Sequence, residues 1–262
     1  MIDDVLLKEK FHTAKPFPHL VLDNFLEKDY FSLLISSFKD YQIHEKEGKF
    51  FNSPAERKKW ISLNTDLPKN ILLILDTLNK KSWISNLKML TGLDTLYSTK
   101  VGNTLLANYH EMMPGGVLVS HVDHSSDQET GLPHVLNIIL FLSPEWRSEY
   151  GGSTLFWNQS GKEIVQKVEY IPNRAVIFLH TPYSFHSVEH IEPSHNYLRR
   201  TIYVDYYSES LNPYAKMDLD FPNKWFEHGT TFRLNKRIDY IKPRHFHYLK
   251  AMLKYKFNKL LY

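Results

Sequence analysis

Along residues 1–100 the hydrophobic positions mostly recur with the spacing of amphipathic helices. Pro68 and Gly92 stand where helices commonly begin and end, which supports two of these helices. We therefore predict a helical support layer over residues 1–100. It comprises helices at about residues 29–40, 68–79 and 82–90, a short strand at 18–23 and a charged loop at 43–60.

From about Val101 the pattern changes to short apolar or alternating runs that are separated by turns containing Gly and Pro. Runs of this length and spacing are typical of a double-sheet jelly roll. The sequence therefore predicts a mainly β fold with supporting α-helices, in a single domain over residues 1–211 whose jelly-roll core spans residues 101–207. The predicted strands are residues 104–109, 117–121, 134–142, 152–157, 163–169, 174–180, 184–189 and 198–207.

The composition is that of a globular protein, with 42% hydrophobic and 14% aromatic residues in a chain of 262. The absence of cysteine excludes disulfides, thiolate metal sites and cysteine nucleophiles, so His, Asp and Glu are the strong metal ligands that remain. The acidic start Met1–Asp4 does not resemble a secretory signal, and the apolar run Ile138–Leu142 is too short to span a bilayer. We expect a soluble, cytoplasmic protein.

The net charge of +3 is unevenly distributed along the chain. Residues 236–262 contain eight Lys or Arg and a single Asp, so the basic character belongs to the C-terminal extension, residues 212–262. The remaining chain gives no case for nucleic-acid binding. Residues 244–260 carry hydrophobic positions near helical spacing, with lysines between them. They predict a helix that either docks on its own domain or makes weak peripheral contact with an anionic membrane or an acidic partner.

Two motifs supply the side chains of a metal site. His121-Val122-Asp123 closes one predicted strand, and because residues two apart point to the same face, its His and Asp can reach one metal. His186 begins a late strand that a jelly roll can bring beside this pair. Two histidines and one carboxylate form the facial set of non-heme Fe(II) oxygenases, since they leave positions open for a co-substrate and dioxygen. His121, Asp123 and His186 are therefore the predicted metal ligands and catalytic residues.

An arginine on the last predicted strand adds a second binding group. Arg199, Thr201 and Tyr203 alternate on one face of that strand. The planar fork of an arginine binds a carboxylate through two parallel hydrogen bonds. Arg199 is the predicted anchor for the distal carboxylate of a dicarboxylate co-substrate whose 2-oxo acid end binds iron. Arg200 is the alternative anchor.

These residues belong to a longer series of motifs between Ala107 and Tyr207. The series is Asn108-Tyr109, Pro114-Gly115-Gly116, His121-Val122-Asp123, Gly151-Gly152, Pro172-Asn173-Arg174, His186-Ser187-Val188 and Arg199-Arg200-Thr201-Ile202. In this order and spacing, the segment resembles the 2-oxoglutarate/Fe(II)-dependent dioxygenase superfamily, in particular its prolyl 4-hydroxylase-like branch. Residues 16–26 also resemble the N-terminal segment of many such enzymes.

The resemblance implies a double-stranded β-helix core, cupin-like in its jelly-roll form, and a hydroxylase reaction. In that reaction 2-oxoglutarate and O2 are converted to succinate and CO2 while oxygen enters a C–H bond. It also implies that His121, Asp123 and His186 hold Fe(II). Arg199 would hold 2-oxoglutarate, and the resemblance allows ascorbate as a further cofactor. Tyr109 stands where relatives use a tyrosine near the co-substrate.

Three positions refine this picture. Asp123 favours hydroxylation over halogenation, because halogenating relatives have a small residue there. His186 and Arg199 are 13 residues apart, which is more than in relatives, so residues 191–197 are predicted to be an insertion. Phe141 stands where some relatives have a tyrosine that contacts the co-substrate. That contact is therefore either absent or moved to Asn137.

The primary substrate stays open: a peptidyl residue such as proline, or a small molecule, sugar or glycan precursor. Two other functions compete with the oxygenase. One is a cupin-like metal-dependent isomerase, which would not need Arg199 and would consume no oxygen. The other is a non-catalytic jelly-roll binding module. Residues 43–60 and 124–133 are expected to border the mouth of the barrel, either as substrate-covering loops or as plain connections.

Overall fold

The structure is a computed structural model that describes residues 4–37, 41, 48–53, 55–62, 67–98, 109–124, 127, 130, 132–181 and 183–209. Of the predicted strand at 104–109, only Tyr109 is described. The C-terminal extension, with its predicted helix, lies outside the described residues. Within the described ranges, no helix is both long enough and apolar enough to cross a membrane.

The α-helices of the described part all lie in its N-terminal region: α1 (Asp4–Thr13), α2 (Lys28–Ser36), α3 (Lys69–Leu78) and α4 (Lys81–Thr91). The three helices that the hydrophobic spacing predicts correspond to α2, α3 and α4. In α3, Ile71, Ile74 and Leu78 recur every three or four residues and are all buried. The sequence does not predict α1, because its hydrophobic residues do not gather on one face. Phe11 is the one residue described in α1 that is buried.

The strands of the described part join into one antiparallel sheet that nearly closes into a barrel. They are β1 (His19–Leu22), β2 (Gly48–Phe51), β3 (Glu56–Ser62), β4 (Tyr97–Ser98), β5 (Tyr109–His121), β6 (His134–Phe141), β7 (Thr154–Trp157), β8 (Ile164–Val168), β9 (Ala175–Leu179), β10 (His186–Val188) and β11 (Arg199–Tyr207). The strands predicted at and after 134–142 are all present with shifted ends.

Two layers of strands make the double-stranded β-helix, and β5 belongs to both. In one layer β1, β9, β6, β11 and the first half of β5 lie side by side, and Arg199 is paired with Met112. In the other layer the second half of β5 is followed by β10, β7 and β8, and His186 is paired with His121. Pro114-Gly115-Gly116, predicted as a turn, lies inside β5 between these two halves, with Gly115 at a φ of 80°. The predicted double-stranded β-helix fold is confirmed.

The hydrophobic core lies on both faces of the first layer. On the outer face, Ile74 of α3 belongs to the same buried cluster as Ile138 of β6 and Val204 of β11. Inside the barrel, the rings of Phe156 and Phe178 lie 5.5 Å apart in a second cluster. Every residue of β6 is buried because this strand is covered on both faces.

The prediction of a loop at residues 43–60 is wrong where the structure describes that segment. β2 and β3 form an antiparallel hairpin, and β3 also pairs with β5. Phe50 and Trp60 are direct cross-strand partners whose rings lie 4.8 Å apart. The charged residues of β3 hide its strand character, because the hairpin lies at the margin of the barrel where Lys and Arg reach water. Residues 1–100 therefore contribute strands as well as helices.

The turn at Gly151 generates a stability prediction. Gly151 has a φ of 68°, and a Cβ atom there would lie 2.3 Å from the carbonyl oxygen of His190. Gly92, just after α4, has a φ of 72° but nothing within 4 Å of such an atom. We expect Gly92→Ala to lower the free energy of unfolding by about 1–2 kcal/mol, the usual penalty of a left-handed conformation. Gly151→Ala should lower the free energy of unfolding by at least about twice as much, because the backbone at His190 must also move.

Chemical denaturation of the two variants and the wild type measures this difference as a shift of the unfolding midpoint. Equal losses of stability in Gly151→Ala and Gly92→Ala would show that the close approach to His190 imposes no constraint.

Candidate metal centre

His121 and Asp123 lie together where β5 ends. His121 is the last residue of the strand, and its Nε2 lies 3.3 Å from Oδ1 of Asp123. Its Nδ1 lies 2.8 Å from the carbonyl oxygen of Val119. Because a carbonyl oxygen only accepts hydrogen bonds, Nδ1 carries the proton and Nε2 of the neutral ring keeps a free lone pair. The ring is thus oriented with its metal-binding nitrogen toward Asp123.

His186 reaches the same point from β10. It is paired with His121 across the two strands, and the two rings lie 4.3 Å apart. Its Nδ1 lies 3.0 Å from the carbonyl oxygen of Ser184, which leaves Nε2 free by the same reasoning. This Nε2 lies 3.3 Å from Oδ2 of Asp123.

The donor atoms of His121, Asp123 and His186 all lie within 4.8 Å of one another. In the part of the chain that the structure describes, no other group of three such side chains meets this condition. The structure therefore brings the three predicted ligands together.

The protonation states suit a divalent metal. Burial alone would raise the pKa of Asp123, but the neighbouring His186 and His121 rings hold this pKa well below its usual range. Burial lowers the pKa of His186 to about 4, so its ring is neutral at neutral pH. Burial also lowers the pKa of His121, but the hydrogen bond to Asp123, the charge of Asp123 and the hydrogen bond to Val119 together raise this pKa overall. A bound cation would compete with a proton for Nε2 of His121.

A cavity opens beside this group and continues along the inner face of β11. Arg199, Thr201 and Tyr203 all line the cavity, as strand alternation predicts. Lys59 contributes from β3, and its Nζ lies 2.8 Å from Oε1 of Glu56. The metal-binding group and the predicted anchor therefore share one cavity.

Arg199 is a buried cation within this cavity. It is 4% exposed, and its Nε donates to the carbonyl oxygen of Gly152 at 2.6 Å. Its guanidinium carbon lies 4.9 Å from the ring centre of Tyr170 and 5.4 Å from that of Phe141. An Nη2 contact of 3.4 Å reaches Oγ1 of Thr154. Burial lowers the pKa of Arg199 to about 10, which still leaves it charged at neutral pH.

No carboxylate of the described residues forms an ion pair with Arg199. A buried cation that has hydrogen bonds but no counter-ion favours the binding of an anion, because an anion would offset the cost of burying the charge.

The neighbouring Arg200 faces the opposite side of β11. Its Nε lies 3.6 Å from Oε1 of Glu111, which is buried, and its Nη2 donates to the carbonyl oxygen of Tyr41 at 3.2 Å. Arg200 thus has a counter-ion within the protein. Of the two arginines that the sequence offers as anchors, the geometry favours Arg199.

Tyr109 is not brought to the cavity. Its hydroxyl donates to Oε1 of Glu111 at 2.8 Å, and its ring belongs to the core cluster on the helix side of the layer. The cavity side of β5 is occupied here by His110 and Met112, because alternate residues face opposite sides. The structure therefore does not place Tyr109 where it could contact a co-substrate in this cavity.

Asn137 contacts the candidate ligand Asp123. Its Nδ2 lies 3.1 Å from Oδ2 of Asp123 and 3.3 Å from Oδ1 of Asp205, and it also makes a close contact with the hydroxyl of Tyr203. Asp205 in turn lies 3.2 Å from Nε2 of His134. These distances favour contacts of Asn137 with the carboxylates of Asp123 and Asp205. They do not favour the alternative that Asn137 contacts the co-substrate in place of the tyrosine that some relatives have at position 141.

No role is predicted from the sequence for Thr154, Lys59 or Tyr203, which the structure places at the site. The hydroxyl of Tyr203 donates to Oδ2 of Asp123 at 2.5 Å, and its ring stacks on His110 at 5.5 Å. Burial, followed by the charges of Asp123 and Asp205, raises the pKa of Tyr203 well above its ordinary value. The position of Tyr203 on the same strand face as Arg199 is a sequence signal for its place in the site. Lys59 has no such signal, because it lies in the segment predicted as a loop.

The connection before Arg199 is packed against the barrel. Ile191 forms an isolated bridge with Gly151, and its backbone N–H donates to the carbonyl oxygen of Gly116 at 2.9 Å. The ring of His195 stacks on Tyr150 at 4.0 Å. Residues 191–197, predicted as an insertion, are thus held at both the backbone and the side-chain level before the chain enters β11.

The model of the 2OG-Fe(II) oxygenase superfamily matches residues 105–207. This segment contains β5 to β11 and all the cavity residues named above except Lys59. No curated protein matches the sequence.

Several solved structures share the fold at low sequence identity. A prolyl-4-hydroxylase from Pseudomonas putida has a TM-score of 0.55 and 16% identity, over 78% of this chain and 99% of its own. A prolyl hydroxylase from Trichoplax adhaerens, in complex with a hypoxia inducible factor peptide fragment, has a TM-score of 0.55 and 14% identity, over 79% and 89% of the two chains. The epimerase SnoN, in complex with Fe3+, alpha ketoglutarate and nogalamycin RO, has a TM-score of 0.56 and 13% identity, over 92% and 95%. At such identities the likeness shows the fold alone.

The three clustered side chains generate a metal-binding prediction. We expect His186→Ala to weaken the binding of Fe(II), measured by anaerobic calorimetric titration, by more than about 100-fold, because loss of a ligand should exceed the loss caused by removing an outer partner. His195→Ala is the control, since this largely buried imidazole stacks on Tyr150 outside the cavity. Unchanged Fe(II) affinity in His186→Ala would remove His186 from the metal site.

Proposed function

Residues 105–207 of this chain belong to the 2-oxoglutarate/Fe(II) oxygenase superfamily, and on that premise we propose that the protein hydroxylates a C–H bond of a primary substrate. One observation carries the proposal. A cluster of two imidazoles and a carboxylate shares a cavity with a buried arginine that has no carboxylate partner among the described residues.

The donor set fits Fe(II). Two imidazoles that direct Nε2 at a carboxylate make up the ligand set of the non-heme iron oxygenases, and the softer metals prefer thiolate ligands, which a chain without cysteine lacks. We propose that His121, Asp123 and His186 hold the metal. When bound, Fe(II) supplies the oxidative decarboxylation of 2-oxoglutarate by O2 to succinate and CO2, coupled to insertion of oxygen into the substrate.

Arg199 binds the distal carboxylate of 2-oxoglutarate in this proposal. Its Nε is already directed by Gly152, so the guanidinium is held in place before the co-substrate arrives. Thr154 offers a hydroxyl beside it as a second donor. The rings of Tyr170 and Phe141 exclude water from one side of the guanidinium, which strengthens its attraction to a carboxylate.

The substrate is proposed to be a peptidyl residue such as proline, or a small molecule or sugar. The prolyl hydroxylases of the same fold support the first, and SnoN, which is described with nogalamycin RO, supports the second. Ascorbate is proposed as a further cofactor that keeps the iron reduced. A cytoplasmic location, and contact of the C-terminal extension with an anionic membrane or an acidic partner, remain predictions from sequence.

The central experiment adds Fe(II) and 2-oxoglutarate to the purified protein without oxygen and records the visible metal-to-ligand band. Oxygen is then admitted and succinate is measured. We expect both the band and succinate formation. Absence of the band in the wild type would refute the proposed function, and a band without oxygen-dependent succinate would favour the isomerase or binding-module alternatives.

Two matched variants test the anchor. Arg199→Ala should raise the Kd of 2-oxoglutarate roughly 10- to 100-fold, the effect of losing hydrogen bonds to a charged group, with Fe(II) binding largely retained. Arg200→Ala removes a cation from the same strand but from its other face, so the Kd should stay within about threefold of the wild type. A larger effect of Arg200→Ala would transfer the anchor to Arg200.

A further inference from the structure

We propose that Tyr203 and Asn137 are positioning residues that hold one oxygen of Asp123, so that the other oxygen alone is presented to the metal. The inference rests on the proposed function, because it concerns the same metal site. It assigns to Asn137 a role toward Asp123 in place of a co-substrate contact, and it gives a role to a tyrosine that the motif series does not include.

Two donors converge on a single atom of Asp123. The phenol of Tyr203 donates to Oδ2 at 2.5 Å, and the amide of Asn137 lies 3.1 Å from the same Oδ2. A carboxylate oxygen has two lone pairs in its plane, so two donors occupy both of them. Each oxygen of Asp123 lies 3.3 Å from Nε2 of one ligand histidine, Oδ1 from that of His121 and Oδ2 from that of His186. Because Oδ2 takes both donors and Oδ1 takes neither, Oδ1 is left as the metal-facing oxygen.

The orientation of the Asn137 amide is fixed by a second carboxylate. Nδ2 lies between Oδ2 of Asp123 and Oδ1 of Asp205, and carboxylates accept hydrogen bonds but do not donate them when ionised. The nitrogen end of the amide must therefore face both. Oδ1 of Asp205 also lies 3.2 Å from Nε2 of His134, whose side chain is fully buried. His134, Asp205 and Asn137 thus form a supporting chain behind Asp123.

Tyr203 is held by its own surroundings as well. It lies on β11 between β5 and β6, and its ring stacks on His110 with an interplanar angle of 17°. The stack leaves the hydroxyl little freedom to leave Asp123. Tyr203 also lines the cavity, so it borders both the ligand carboxylate and the space where substrate would bind.

The consequence concerns the open positions of the metal. A carboxylate that bound through both oxygens would occupy one of the positions that the facial set leaves for 2-oxoglutarate and O2. Holding Oδ2 prevents this. The same hydrogen bonds withdraw electron density from the carboxylate, so their loss should make Asp123 a stronger donor and move the metal-to-ligand band of the Fe(II) and 2-oxoglutarate complex to longer wavelength.

Tyr203→Phe removes only the hydroxyl and keeps the stacked ring. We expect its anaerobic Fe(II) and 2-oxoglutarate band to move to longer wavelength. Its Fe(II) affinity should fall roughly 10- to 100-fold, the range for outer partners of metal ligands, because the lost orientation of Asp123 outweighs its greater donor strength. Tyr206→Phe is the matched control. Tyr206 is fully buried on the same strand, and its hydroxyl donates to the carbonyl oxygen of Leu78 at 2.9 Å, on the helix side of the layer.

Asn137→Ala removes the other donor and should shift the band in the same direction, which gives a second test if Tyr203→Phe does not fold. This inference would be overturned if both variants kept the wild-type band and bound Fe(II) as tightly as Tyr206→Phe does. The proposed function would then stay intact. Absence of the band in the wild type would overturn both.

Discussion

The site depends on one long strand, β5, which is hydrogen-bonded to β11 over its first half and to β10 over its second. The first pairing sets Arg199 opposite Met112, and the second sets His186 opposite His121. A one-residue slip in either pairing would turn the functional side chain to the other face of its strand. The distance between the metal-binding group and the candidate anchor is therefore fixed by the register of a single strand.

Much of this arrangement can be predicted from the sequence, because the barrel strands alternate with clear turn signals and β6 is mostly apolar. The pairing of His121 with Asp123 follows from strand periodicity alone. Periodicity also says that Arg199 and Arg200 face opposite sides, but it does not say which side is the interior. That choice depends on the register of β11 against β5 and on Glu111, which lies beside Arg200.

Other parts of the site are decided by contacts between residues distant in sequence. Asn137 and Asp205 are 68 residues apart, and no local pattern links them to Asp123. The β2–β3 hairpin is hidden because charged residues at a sheet margin look like a loop. Tyr109 follows a family motif in order but not in orientation, since the fold places its ring in the core on the helix side. Motif order therefore predicts position along the chain better than it predicts the direction of a side chain.

The cavity wall comes from two parts of the chain, the β2–β3 hairpin and the segment β5 to β11. Of the described residues that line the cavity, Lys59 is the one that comes from outside the segment β5 to β11. Substitutions in the hairpin can therefore reshape one wall without touching the pairing of β5 with β10 and β11. A change of selectivity at this hairpin is therefore compatible with an unchanged metal site in the barrel.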